Sequence, residues 1–120
     1  MTLGEVIEYV GDIKPHAFPE TALTRWVNEC EGMVAAEVLL FASEEVPVYE
    51  WPLCRDWELL AQPPHDKIYP AYLTAKIDFA NGEYNRYQNT MQMFNAFYGE
   101  FMRWFASVYR PADWHAYKST

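Results

Sequence analysis

Apolar residues recur along this chain at helical spacing. Leu3, Val6, Ile7 and Val10 step by three and four, and Thr2 with Glu5 three residues on is the pairing that satisfies free amides at a helix start. Gly11 and then Lys14-Pro15 close the segment, which predicts a first helix from Thr2 to Gly11 or Asp12. After KPHAF, Pro19 and Glu20 suit the first turn of a second helix, where proline loses no needed bond and Glu complements the dipole. Leu23, Trp26, Val27, Cys30, Met33, Val34 and Val38 then form one stripe, with Arg25, Asn28, Glu29 and Glu31 on the polar face opposite.

From Ser43 to Pro64 the periodicity disappears, and Pro47, Pro52, Pro63 and Pro64 punctuate the segment. A connection this long without regular structure is uncommon in a compact domain, and its role is either functional or ordered by a partner. Val46–Trp51 (VPVYEW) fits a short strand, which would need a partner to pair with; an irregular loop burying Trp51 and Trp57 fits equally.

Asp66 is placed to cap a third helix, with Pro70 still in its first turn and Ile68, Tyr69, Tyr72, Leu73, Ile77 and Ala80 on its buried face. Asn81-Gly82 reads as its stop. Tyr84, Tyr87, Met91, Phe94, Tyr98, Phe101, Phe105 and Val108 follow in alternating steps of three and four, a seam for lengthwise packing. Met93, Phe97, Met102, Trp104 and Tyr109 lie off that seam, so the helix is either central in its domain or turned toward a second protein. The pattern predicts an all-α fold: a four-helix bundle with a long C-terminal helix and an extended loop, or one short strand, between helices two and three. The helical domain is assigned to 1–111 and a C-terminal tail to 112–120.

Charge changes this picture. Residues 1–66 carry 13 acids against Lys14, Arg25 and Arg55, a balance of −10, while 67–120 carry four acids against six bases, a balance of +2. The halves therefore present different faces, and the acidic total of −8 argues against tight nucleic-acid binding, which depends on neutralising phosphates. The N-terminus lacks the basic and apolar regions of a secretory signal, and the longest apolar run, Gly32 to Ala42, is interrupted by Glu37, so a cytosolic chain without a membrane span is expected. Cys30 and Cys54 read as free thiols in a reducing compartment, with Cys30 in the core.

No catalytic signature is present to build on. His16, His65 and His115 have no second His or Cys at ligand spacing, the carboxylate pairs Glu29/Glu31 and Glu44/Glu45 read as solvated surface, and there is no glycine-rich phosphate loop. Neither catalytic nor metal residues are assigned, and a non-enzymatic role is expected. With 21 aromatic side chains in 120 residues, an oligomer is the favoured reading, since Tyr, Trp and Met are enriched at interfaces. Candidate contact residues are Met93, Phe97, Met102, Trp104, Tyr109, Trp51, Trp57 and Trp114.

The helical arrangement, with PPHDKIYPAYLTAKIDFANGEYNRYQNTMQMFNAFYGEFMRWFASVYRP over 63–111, resembles small head-tail connector (head completion or adaptor) proteins of long-tailed bacteriophages and prophages. The resemblance implies a structural virion protein, assembled in the bacterial host cytoplasm, that forms a ring, typically of twelve members, beneath the portal and links the DNA-filled head to the tail at the virion neck. It implies the portal protein, the next connector or tail component and other copies of the chain as partners, no cofactor, no membrane, and DNA only in loose passage. Glu44, Glu45 and Glu50 are the candidate acidic channel surface, where they would repel phosphate. A soluble homo-oligomeric regulatory or ligand-binding helical module is the alternative.

Overall fold

The computed structural model describes residues 1–109. Four α-helices carry the fold: α1 (Leu3–Ile13), α2 (Glu20–Met33), α3 (Ile68–Ala80) and α4 (Tyr84–Val108). The predicted capping box at α1 is present, with the Glu5 amide donating to Thr2 Oγ1 at 3.1 Å and the Thr2 amide donating to Glu5 Oε1 at 2.8 Å. The capped face then buries Leu3, Val6, Ile7 and Val10, and α1 runs on to Ile13.

The second helix does not end cleanly. Its stripe continues through a π-helical turn, Val34–Val38, that buries Val34, Ala35 and Val38. The wider turn is closed by the Leu39 amide on Val34 O at 3.0 Å and the Phe41 amide on Ala35 O at 2.8 Å, with Leu40 between them at φ +54. This is a helix stop built on a left-handed residue, but with leucine where glycine is usual.

The centre of the bundle is α3. It buries Ile68, Tyr69, Pro70, Ala71, Tyr72, Leu73, Ala75, Ile77 and Asp78, so nearly all its sides are covered, and it packs on α1, α2 and most extensively on α4. The long aromatic helix is peripheral: among its 25 residues only Phe94, Phe101 and Phe105 are buried. Each such burial contributes about 2–3 kcal/mol, and Met91, Phe97, Tyr98, Trp104 and Tyr109 add partly buried contacts to the same core. Tyr84 and Val108, at the two ends of the predicted seam, are 60% and 54% exposed, Tyr84 with its ring 5.6 Å from that of Phe79 across the turn.

Asp66 does not cap α3; it lies inside a 3₁₀ turn, His65–Lys67, and its Oδ2 accepts from the Met1 amino group at 3.1 Å. Ala80, the last residue of α3, is exposed. The predicted stop at Asn81-Gly82 holds, with Gly82 at φ +73. No strand forms at Val46–Trp51; the extended pairing occurs later, as a single bridge between Thr2 and Glu58. There the Leu3 amide donates to Trp57 O at 3.0 Å, the Gly4 amide to Arg55 O at 2.7 Å and the Leu59 amide to Met1 O at 3.0 Å. The free amides at the start of α1 thus become the partners that the connection lacked.

Candidate interface

Two side chains on the face of α2 read as solvated turn inward onto the connection. Asn28 pairs with the backbone of Tyr49 at both ends of its amide, Nδ2 donating to Tyr49 O at 3.0 Å and Oδ1 accepting from Tyr49 N at 2.9 Å. Glu31 is fully buried, and its carboxyl accepts from the Tyr49 hydroxyl at 2.7 Å, the Leu60 amide at 2.9 Å and the Tyr69 hydroxyl. The pairing Glu29/Glu31 is therefore not a shared acidic surface: Glu29 stays at the rim, accepting from Tyr72 at 2.9 Å and facing Lys76 at 3.2 Å. Helical periodicity placed Glu31 outside because it tests one face at a time, and the connection covers the second face.

Burial pushes the Glu31 carboxyl up, against the opposing pull of its three donors. Tyr49 and Tyr69 are raised by burial and by the neighbouring carboxyl, so both remain donors. Burial likewise raises Cys30, whose thiol stays protonated in the core, and Cys54 is also buried and free. These groups are spent on holding the connection against α2 and α3.

The open surface is elsewhere. A groove of about 560 Å³ lies between α1, α3 and α4, walled by Tyr9 and Ile13, floored by Pro70, Ala71 and Thr74, and closed by Thr90, Met93 and Phe97. Met1, Asp66 and Lys67 form one end. The Lys67 ammonium stands 4.5 Å from the Phe97 ring centre and 3.4 Å from Glu100. Tyr9, Ile13 and Met93 are about half exposed, at 46%, 50% and 54%, so the lining is apolar surface left facing solvent.

Of the candidate contact residues, Met93 and Phe97 meet in this groove, one helical turn apart. Trp104 and Tyr109 pack inward instead: Trp104 lies 4.7 Å from the ring of buried His65, and Tyr109 stacks on Phe105 at 4.9 Å. Met102 is exposed and outside the groove lining. Trp57 is 52% exposed on the connection, while Trp51 is half-buried under the Arg55 guanidinium, 5.6 Å away. Trp114 and the tail 112–120 lie outside the described residues. Glu44 and Glu50 are exposed; Glu45 is half-buried, with Oε1 accepting from the Ala42 amide at 3.3 Å.

Tyr9 and Ile13 are the residues sequence reasoning missed. The signal was present, since both interrupt the buried spacing of α1 with large apolar groups on its other face.

A second cleft, more polar, lies between α1 and the turn at 51–56, with Glu5, Glu8, Glu20 and Asp56 around His16, Trp51 and Arg55. His16 Nδ1 accepts from the Phe18 amide at 3.0 Å. Among the described residues, no group of three or more His, Cys, Asp or Glu side chains is placed to hold a metal ion. Nor is any helix among them long and apolar enough to cross a membrane. Comparison with family models, curated proteins and solved structures gives no match for this chain.

Proposed function

We propose that this chain is a structural subunit that works through contact: a head-tail connector that assembles as a ring under the portal and links the DNA-filled head to the tail. The observation that carries the reading is the groove with half-exposed Tyr9, Ile13 and Met93, an apolar surface beyond what the bundle uses for its own packing. The unequal charge of the two halves supports it, because a head-to-tail ring needs two different, complementary surfaces on each protomer. The resemblance in helical order to small connector proteins supplies the virion setting, the portal and the next neck component as partners, and a channel through which DNA passes loosely.

The decisive experiment is deletion of the gene in an inducible prophage that carries it. DNA-filled heads lacking tails are expected; normal virions would overturn the reading. Within it, the exposed carboxylates Glu44 and Glu50, with Glu45 beside them, face the channel. Neutralising the three should leave assembly intact while altering DNA retention or ejection, and unchanged DNA behaviour would remove them from the channel.

One observation favours a second reading. The groove volume of about 560 Å³ falls within the range typical of small-ligand pockets, as a soluble homo-oligomeric regulatory or ligand-binding module would require. A tight dimer with ligand-dependent melting would support that module; rings in electron micrographs support the connector.

A further inference from the structure

We infer that the groove between α1, α3 and α4 seats the 46–57 segment of a second copy of this chain. The inference rests on the assembly reading above and adds which two surfaces meet. The groove presents Ile13, Met93 and Tyr9 half exposed and calls for a projecting apolar segment. Among the described residues the most exposed large apolar side chains are Leu53 at 72% and Val48 at 70%, and Trp57 lies on the same segment.

That segment is already held in shape. Asn28 clamps the Tyr49 backbone, and Arg55 and Trp57 accept main-chain bonds from Gly4 and Leu3. A segment ordered before contact loses little conformational freedom on docking.

Charge selects the pairing. The 46–57 segment carries Glu50 and Asp56 against Arg55, a balance of −1; the charged groups lining the groove are the Met1 amino group and Lys67 against Asp66, a balance of +1. Lys67, paired with Glu100 at 3.4 Å, still leaves 42% of its side chain exposed at the groove, where a carboxylate of the incoming segment would compete for it. A groove-to-groove contact would leave Leu53 and Val48 in water and supply no such charge match. Because groove and segment are different surfaces, every copy carries one of each, and the contact propagates until its rotation closes a ring.

The test isolates one contact. A nitroxide is placed on Ser43→Cys in an unlabelled chain that also carries M93D, so this chain offers its segment but not its groove. Cys30 and Cys54, 0% and 2% exposed, stay unreacted. It is mixed at about 1 mM, where weak contacts are populated, with ¹⁵N-labelled L53D chain, which offers only its groove. Paramagnetic broadening of the Ile13, Thr74, Met93 and Phe97 amides is expected, and adding M93D or I13D to the labelled chain should abolish it. Broadening centred on another face would overturn this pairing while leaving self-association, and hence the assembly reading, intact. No broadening would also overturn the pairing, whereas the prophage deletion judges the assembly reading independently. Met93, Ile13 and Leu53 are all at least half exposed, and unchanged amide spectra away from each substitution verify folding.

Discussion

The Tyr49 hydroxyl donates to Glu31 Oε2 at 2.7 Å in the interior, joining the proline-rich connection to α2 across 18 residues of sequence. Tyr49→Phe removes one of three donors from a buried carboxyl and keeps the ring. A hydrogen bond contributes about 1.5–3 kcal/mol to an ionised carboxyl and about 0.5–1.5 kcal/mol to a neutral one, so in urea unfolding the loss should reach the larger figure only at a pH where Glu31 is ionised. Glu31→Ala should cost more, because it strands the Tyr49 and Tyr69 hydroxyls and the Leu60 amide together. A Glu31→Ala chain as stable as Tyr49→Phe would mean that water replaces the carboxyl.

The same carboxyl gives a pH signature. Burial raises Glu31 above the ordinary range, so the folded state holds its proton more tightly than the unfolded chain. Its favourable contribution is complete below the unfolded value, about 4.3, and is lost as pH rises through the folded one. Glu31→Gln cannot ionise. The stability advantage of the native chain over Glu31→Gln should therefore shrink as pH rises from the unfolded value, about 4.3, through the raised folded one. An advantage that grows over this interval would show that the three donors outweigh burial.

Gly4 and Gly11 lie on the same helix and should respond in opposite directions to alanine. A Cβ at Gly4 would stand 2.9 Å from Arg55 O, the backbone atom that accepts the Gly4 amide, and neither partner can yield as a side chain would. Gly4→Ala should cost about 1–3 kcal/mol, as overpacking does. At Gly11 an added methyl would meet nothing within 4 Å, and Gly11→Ala should stabilise the helix by up to about 1 kcal/mol. Thermal unfolding of both variants separates the effects; equal shifts would remove the close approach as their cause.

These residues also show what could be read in advance. The capping box at Thr2 and Glu5, the stop at Gly82 and the buried stripe of α2 are local, and residues within one turn of each other determine them. Glu31 and Asn28 were misplaced because what covers them arrives from Tyr49 and Leu60, beyond the reach of any helical period. The apolar residues off the seam of the long aromatic helix left two readings, central in the domain or turned toward a second protein. α3 took that place because α1, α2 and α4 all pack on it, which leaves α4 an outer face. Of the groove, Met93 and Phe97 stood out by lying off the seam and Tyr9 and Ile13 by interrupting the buried spacing of α1, but joining the two pairs into one surface required knowing that α1 and α4 flank one side of α3.

Lys14 reaches back from the end of α1 to Asp78 on α3, whose side chain is 1% exposed and also accepts from Thr90 at 3.1 Å. Breaking one partner of a buried pair leaves an uncompensated charge, and Lys14→Met should cost about 3–5 kcal/mol. Replacing both partners, Lys14→Met with Asp78→Leu, should recover much of that loss. The double-mutant cycle in urea reads the coupling directly; additive losses would show that Thr90 and solvent satisfy Asp78 without the lysine.

Leu40 holds φ at +54 just past the π-helical turn, a conformation that costs a branched side chain about 1–2 kcal/mol and glycine very little. Its side chain is 46% exposed, so the packing returned for that strain is partial. The closing bond from Phe41 to Ala35, at 2.8 Å, needs only the backbone path, which glycine follows freely. Leu40→Gly should therefore be neutral or stabilising by up to about 1 kcal/mol, whereas Leu40→Val, branched at Cβ, should destabilise. If Leu40→Gly lowers the unfolding midpoint as much as Leu40→Val does, the leucine is retained for its buried half, and the turn carries less strain than its dihedral implies.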